Sequence, residues 1–148
     1  MSACDPAFNK ISKGKGPGKE ADWVELLESR PKDKPFFAWY ASSDAHRDWS
    51  INKDAPHYGP ADVIIPPYFY DGEKTREDLT GYYHEVSRFD HFIGKVTNEL
   101  RRQGILDDTV IIVMADNGRP LPRCKTRLYD SGIKTPFIVH YPALVKPG

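Results

Sequence analysis

The sequence predicts an α/β fold containing part of a mostly parallel sheet flanked by helices. Three observations predict it: a long helical stripe over 75–103, an aromatic apolar run before it at 36–41, and a β-branched apolar run after it at 109–114. Strand, long helix, strand is a crossover unit, and such units join parallel strands with a right-handed connection. The 148 residues suit one domain, and 39% hydrophobic with 12% aromatic residues are enough for a core.

Each element has its own signal. Over 20–30, Trp23, Val24 and Leu27 recur at helical spacing and Pro31 stops them, which gives a short amphipathic helix. Pro35 opens Phe36-Phe37-Ala38-Trp39-Tyr40-Ala41, too short for a helix and suited to a buried strand. Residues 42–72 are polar, proline-rich and aromatic without a period, and a loop that long inside a compact domain is usually functional. Its aromatic part, from His57 and Tyr58 to Tyr68, Phe69 and Tyr70, suits packing on the sheet or stacking on a sugar. Leu79, Tyr82, Tyr83, Val86, Phe89, Ile93, Val96 and Leu100 then step by three or four along one helix face. Thr75 with Asp78 reads as a capping box, and Gly104 as the stop. Residues 109–114 lack alternation, as a strand covered on both faces does, and 136–141 form a third strand. The Lys/Gly-rich stretch 10–19 reads as a solvated linker.

Composition excludes several classes. With 21 basic and 21 acidic residues the net charge is zero, which argues against a nucleic-acid binder held by a basic face. No apolar run approaches the roughly 18 residues of a membrane span. The first 30 residues have no apolar core of a secretory signal. Cys4 and Cys124 cannot form a disulfide framework or a four-ligand zinc site by themselves. Phosphate-cradling glycine loops, zinc-protease patterns and a nucleophile elbow around Ser42, Ser43 or Ser87 are all absent.

In open α/β sheets ligands sit beyond the carboxyl ends of strands, which directs attention to the segments after Ala41 and Met114. Asp116-Asn117-Gly118 sets a carboxylate and an amide oxygen side by side, a start for a hard cation but also ordinary turn chemistry. Ser42-Ser43-Asp44-Ala45-His46-Arg47 offers His46 as acid or base and Arg47 as an oxyanion clamp, or a polar loop with a surface ion pair. His84 and His91, one heptad apart, read as packing or surface residues. Arg119, Arg123, Lys125 and Arg127 crowd one loop, either around a bridging anion such as sulfate or as a solvated basic segment. No attacking atom is evident.

Several stretches together resemble the sulfatase family of the alkaline-phosphatase superfamily. They are Pro35-Phe36-Phe37-Ala38-Trp39-Tyr40-Ala41 leading to His46, Asp78-Leu79-Thr80-Gly81-Tyr82-Tyr83-His84-Glu85-Val86-Ser87-Arg88-Phe89-Asp90, Asp107 through Gly118, and Lys125 through Val139. The resemblance implies an alkaline-phosphatase-like fold and hydrolysis of sulfate esters or sulfamates on sulfated small molecules or glycans. It implies a calcium ion and a formylglycine nucleophile. By motif match, Asp116 and Asn117 would be two calcium ligands, Lys125 the lysine on the sulfate, and His46 the histidine near the leaving or transferred group. Pro120-Leu121-Pro122-Arg123 and Lys125-Thr126-Arg127 look nearest the heparan N-sulfatase-like branch. The family works in the periplasm, outside the cell or in lysosomes.

The chain departs from the family where the nucleophile belongs. The Cys/Ser-x-Pro-x-Arg motif is absent: Cys4-Asp5-Pro6-Ala7-Phe8 has phenylalanine in place of arginine and lies too near His46. The amino-terminal aspartate pair of the calcium site is missing as well. Residues 1–148 are therefore expected to be the central part of a single catalytic domain, incomplete at both ends and without turnover alone. A metal-dependent phosphatase or phosphodiesterase of the same superfamily is the nearest rival, although those sites often place histidine where Asn117 stands, as zinc prefers. A non-catalytic binding module on a truncated scaffold is the other.

Overall fold

The computed structural model describes residues 10–146. Its elements run α1 (Trp23–Glu28), α2 (Glu73–Arg102), β1 (Ile111–Met114), α3 (Asp130–Ile133) and β2 (Phe137–His140). The α/β composition agrees with expectation, but the sheet does not. Among the described residues the sheet has two strands, and they are antiparallel, with Ile111 opposite His140 and Met114 opposite Phe137.

Residues 36–41 form no strand, so the expected parallel pairing with 109–114 is absent. Side-chain contacts with the α1 region engage this run instead. Tyr40 stacks on Trp23 at 5.2 Å and donates its hydroxyl to the Trp23 carbonyl, and the Arg30 guanidinium lies 4.4 Å from the Phe36 ring centre. An apolar run signals contact, and periodicity does not say whether the contact is a ladder or a helix. β1 is likewise not covered on both faces: Ile111 and Val113 are half-buried while Ile112 and Met114 are exposed. Among the described residues no helix is long and apolar enough to cross a membrane.

α2 organises the rest. It starts at Gly72, with extended backbone and no side-chain cap, so Thr75 sits inside the first turn and the expected capping box does not form. It ends as predicted. Gly104 takes φ +71°, its N–H donates to the Arg101 carbonyl, and Ile105 N–H donates to Leu100, the paired bonds of a Schellman stop.

The two halves of α2 bury different chemistry. Toward its end, Phe92 and Leu100 are buried, and Trp23 of α1 meets Phe89 and Phe92 edge-on. In its first half, the buried positions are Leu79, Gly81, His84, Glu85 and Arg88, whereas Val86 of the predicted stripe is exposed. The long loop docks on this polar face. His84 Nδ1 donates to the Pro56 carbonyl and Nε2 accepts from Asn52 N–H, so the buried ring is neutral and both nitrogens are satisfied. Tyr58 meets Tyr83 edge-on and shares a hydrogen bond with Ser87, while Tyr68 and Phe69 pack around Val63, Leu79, Leu121 and Cys124.

Arg88, fully buried, closes the arrangement. Its guanidinium grips Asp44 with two parallel 2.7 Å bonds, donates to the Ser50 carbonyl, and lies 3.4 Å from Glu85. Glu85 in turn accepts from the main-chain N–H groups of His46 (3.0 Å) and Ser50 (2.8 Å). Burial works against the charge on Arg88, but the bonds and charge of Asp44 outweigh it and hold the guanidinium above its ordinary value. Glu85 moves up because burial outweighs its two N–H donors. Glu20 also moves up, first through burial and then through the charge of Asp44, against a hydrogen bond from Ser42.

Two outcomes follow from this network. Arg88→Met strands Asp44 and Glu85 without a cation and is expected to cost about 3–5 kcal/mol in urea unfolding. Glu20 has a folded-state value above its unfolded one, so its contribution is full below the unfolded value of 4.5 and is lost as pH rises through the folded value. Glu20→Gln should therefore stabilise the protein at neutral pH, with the gain vanishing toward pH 4 in paired thermal melts. A gain that grew on acidification would contradict the assignment.

Candidate active site

The site residues come from two loops. His46 lies in the loop gripped by Arg88, and its Nδ1 is 2.6 Å from the Arg47 carbonyl. A carbonyl only accepts, so Nδ1 carries the proton and Nε2 is the nitrogen left for chemistry. Asp116 and Asn117 follow β1 directly, where the chain leaves the sheet, and Asn117 Nδ2 donates to Asp116 Oδ1 at 2.6 Å.

Two glycines let this turn fold tightly. Gly118 N–H donates to the Gly132 carbonyl at 2.8 Å, and a Cβ at Gly118 would run into the Ser131 carbonyl oxygen and lie 2.7 Å from Gly132 Cα. A Cβ at Gly132 would meet the carbonyl oxygens of Arg127 and Cys124. α3, which the sequence did not announce, thus packs its Gly132 against the loop that holds Lys125. That loop is knotted on itself. The Arg119 carbonyl accepts from Leu121 and Lys125, Ser131 Oγ donates to the Arg123 carbonyl, and Arg123 and Thr126 sit at φ +61° and +70°. Left-handed backbone at a non-glycine residue costs about 1–2 kcal/mol and collects at ligand sites.

Arg47 joins the two loops. Its Nε donates to the Pro120 carbonyl at 3.1 Å while its other end pairs with Asp78, which also accepts from Trp49 Nε1 at 2.8 Å. The candidate oxyanion clamp is thus a structural tie. Trp49 lies so close over α2 that a Cβ at Gly81 would enter its ring. Among the described residues no hydrogen bond or ion pair links the side chains of His46, Lys125 and the Asp116–Asn117 pair. Sequence reasoning missed Asp44, Glu85 and Arg88 as the frame of the His46 loop; their only signal was acid and base three residues apart beside an apolar stripe.

The donor set fits a hard cation in kind. Asp116 and Asn117 supply a carboxylate and an amide oxygen, whereas calcium takes six to eight oxygens. Among the described residues no group of three or more His, Cys, Asp or Glu side chains is placed to hold a metal. Two oxygen donors are fewer than a calcium shell needs.

Gly118→Ala should cost about 1–3 kcal/mol through overpacking against main chain. Gly94, in mid-helix with nothing within 4 Å of an added Cβ, is the contrast. There alanine should be neutral or stabilising by up to about 1 kcal/mol, and chemical denaturation of the two variants checks the pair.

Comparison with known proteins gives these features a setting. N-sulphoglucosamine sulphohydrolase of Homo sapiens is 32% identical over 136 residues, covering 74% of this chain and 26% of the relative. An ulvan-active sulfatase of Formosa agariphila is 34% identical over 105 residues, covering 70% of this chain and 17% of the relative. Human arylsulfatase A is 23% identical over 149 aligned positions, covering 89% of the chain and 26% of the relative. The chain spans about a quarter or less of the length of these relatives. Residues 21–147 match the family model described as Sulfatase, and with Asp116-Asn117-Gly118 after β1 and His46 and Lys125 on the flanking loops, the chain belongs to the sulfatase family.

Proposed function

We propose that residues 1–148 form the central part of a sulfatase catalytic domain that hydrolyses sulfate esters or sulfamates on sulfated sugars. The observation that carries this reading is the family match over 21–147, with an Asp–Asn pair at the end of β1 beside a cation-rich loop. The likeness to N-sulphoglucosamine sulphohydrolase favours an amino-sugar substrate and the sulfamate branch.

Each residue has a role set by its chemistry. Lys125 brings a full positive charge to the sulfuryl oxygens, where negative charge must be held as the bond to the leaving group breaks. His46 delivers a proton from Nε2 to the departing oxygen or nitrogen. Its ring is steadied by the Arg47 carbonyl and its main chain by Glu85. Asp116 and Asn117 would contribute two oxygens to a calcium ion. When bound, that ion offsets charge on the sulfate. Their asparagine is a hard ligand where a zinc phosphatase would favour imidazole.

The attacking group lies elsewhere. Cys124 is fully buried, directs its thiol to the Pro122 carbonyl at 3.4 Å and lies 3.9 Å from the Tyr68 hydroxyl, and among the described residues no histidine or carboxylate pairs with it. The Cys4 segment lies outside the described residues. The 148 residues alone are therefore expected to give no turnover.

In the longer protein that carries this segment, His46→Ala and Lys125→Ala should each lower kcat/KM for a sulfate ester by about 100-fold or more. Asp116→Ala should weaken calcium binding measured by titration. A preference for phosphate monoesters together with zinc dependence would overturn the reading, as would robust arylsulfatase turnover by the isolated chain.

A further inference from the structure

We propose that the loop carrying Lys125 holds a second anion subsite, formed by Arg123 and Arg127, for a neighbouring sulfate or carboxylate of a sulfated oligosaccharide. The class of ligand rests on the sulfatase reading, but the subsite rests on charge and geometry. Between Asp116 and Asp130 the chain has four cations, Arg119, Arg123, Lys125 and Arg127, and no acid. A sulfate ester carries one negative charge, which one lysine balances. Three guanidinium groups remain in surplus.

Those groups are not consumed by the fold. Arg47, Arg76, Arg88 and Arg102 each pair with a carboxylate, whereas among the described residues Arg119, Arg123, Lys125 and Arg127 pair with none. Aromatic rings flank two of them instead. The Arg123 guanidinium carbon is 4.8 Å from the Tyr129 ring centre and 6.0 Å from that of Tyr68, and Arg119 is 5.9 Å from Tyr82. A guanidinium held by a ring is oriented while its N–H donors stay free for an anion. In a net-neutral protein, such a concentration of unpaired charge is a local feature, not a bulk one.

The space matches the charge. Arg123, Lys125, Thr126, Arg127 and Tyr129 wall an open basin of about 480 Å³. That falls within the range of sites holding ligands larger than a lone sulfate. Arg123 and Thr126 hold left-handed backbone on this wall, and Ser131 Oγ fixes the Arg123 carbonyl. The basin therefore accepts more than one charged group of the same substrate, and it selects densely sulfated chains over singly sulfated ones.

Calorimetric titration of the full 148-residue chain tests this with three probes: a heparin-derived hexasaccharide, a singly sulfated disaccharide, and an oligothymidylate of the hexasaccharide's charge. The hexasaccharide should bind at least about 10-fold tighter than the disaccharide, and Arg123→Gln and Arg127→Gln should each weaken it about 5- to 10-fold. Both variants should leave the disaccharide within about 2-fold, and Arg101→Gln, at the end of α2, should change neither by more than that. Arg127 is exposed, so its variant stays informative if Arg123→Gln fails to fold by circular dichroism. Equal hexasaccharide binding by wild type and both variants overturns the subsite, and so does an equal loss in Arg101→Gln. Oligothymidylate binding as tight and as sensitive to the two arginines would make the basin a general polyanion patch. Failure of all probes removes the subsite, while the sulfatase reading stands or falls separately on turnover by the longer protein.

Discussion

One buried guanidinium governs the arrangement of this chain. Arg88 sits on the middle of a helix, out of water, and must be neutralised there because an unpaired buried charge costs several kcal/mol. Its partners are drawn from a loop some forty residues earlier in the chain: Asp44 by a two-pronged bond and Ser50 by its carbonyl. Glu85, one turn before it, takes the N–H groups of His46 and Ser50. The loop therefore has no freedom to choose another seat on the helix. An apolar seam would hold it as well but would not specify its register, since hydrophobic contact lacks direction. A fork of fixed hydrogen bonds does.

The two cationic regions are used in opposite ways. Around Arg88 each guanidinium nitrogen is directed at a carboxylate or carbonyl, and the charge serves shape. On the loop after β1 the cations have no carboxylate partner among the described residues, and the charge faces whatever arrives. Arg47 lies between these regimes, tied to Asp78 on one side and to the Pro120 carbonyl on the other, so that the His46 loop and the Lys125 loop share a joint. The joint runs through main chain, which makes the relation between the loops depend on how tightly 118–132 is folded. Gly118 and Gly132 set that tightness by leaving no room for a side chain at the crossing.

Much of this was legible from the sequence, and the failures have physical causes. The long helix and its glycine stop were readable because a 3.6-residue period and a left-handed cap are local signals. Asp116, Asn117 and His46 are candidates because of a family likeness and their place after apolar runs, and Lys125 because of the likeness alone. The buried face of α2 was misjudged between Gly81 and Arg88, because charged residues read as solvent-facing until a partner is known, and Asp44 is remote in sequence. The 36–41 run was misread for a related reason: its aromatic side chains meet Trp23 and Arg30, and no pattern within six residues reveals which surface they will find. The missing capping box shows the same limit, since Asp78 was already engaged by Arg47 and Trp49.

The Schellman stop at Gly104 turns α2 into a ruler. At one end the helix is locked to the start of the turn into β1, and at Arg88 it is locked to the His46 loop. One extra residue between them would swing Arg88 about 100° around the axis and slide it about 1.5 Å relative to β1. The guanidinium would then point away from Asp44 while every local propensity stayed intact. Length between these two marks is thus as strictly specified as residue identity. Phase along the helix, more than composition, is what keeps the histidine loop and the strand that presents Asp116 and Asn117 in a common frame.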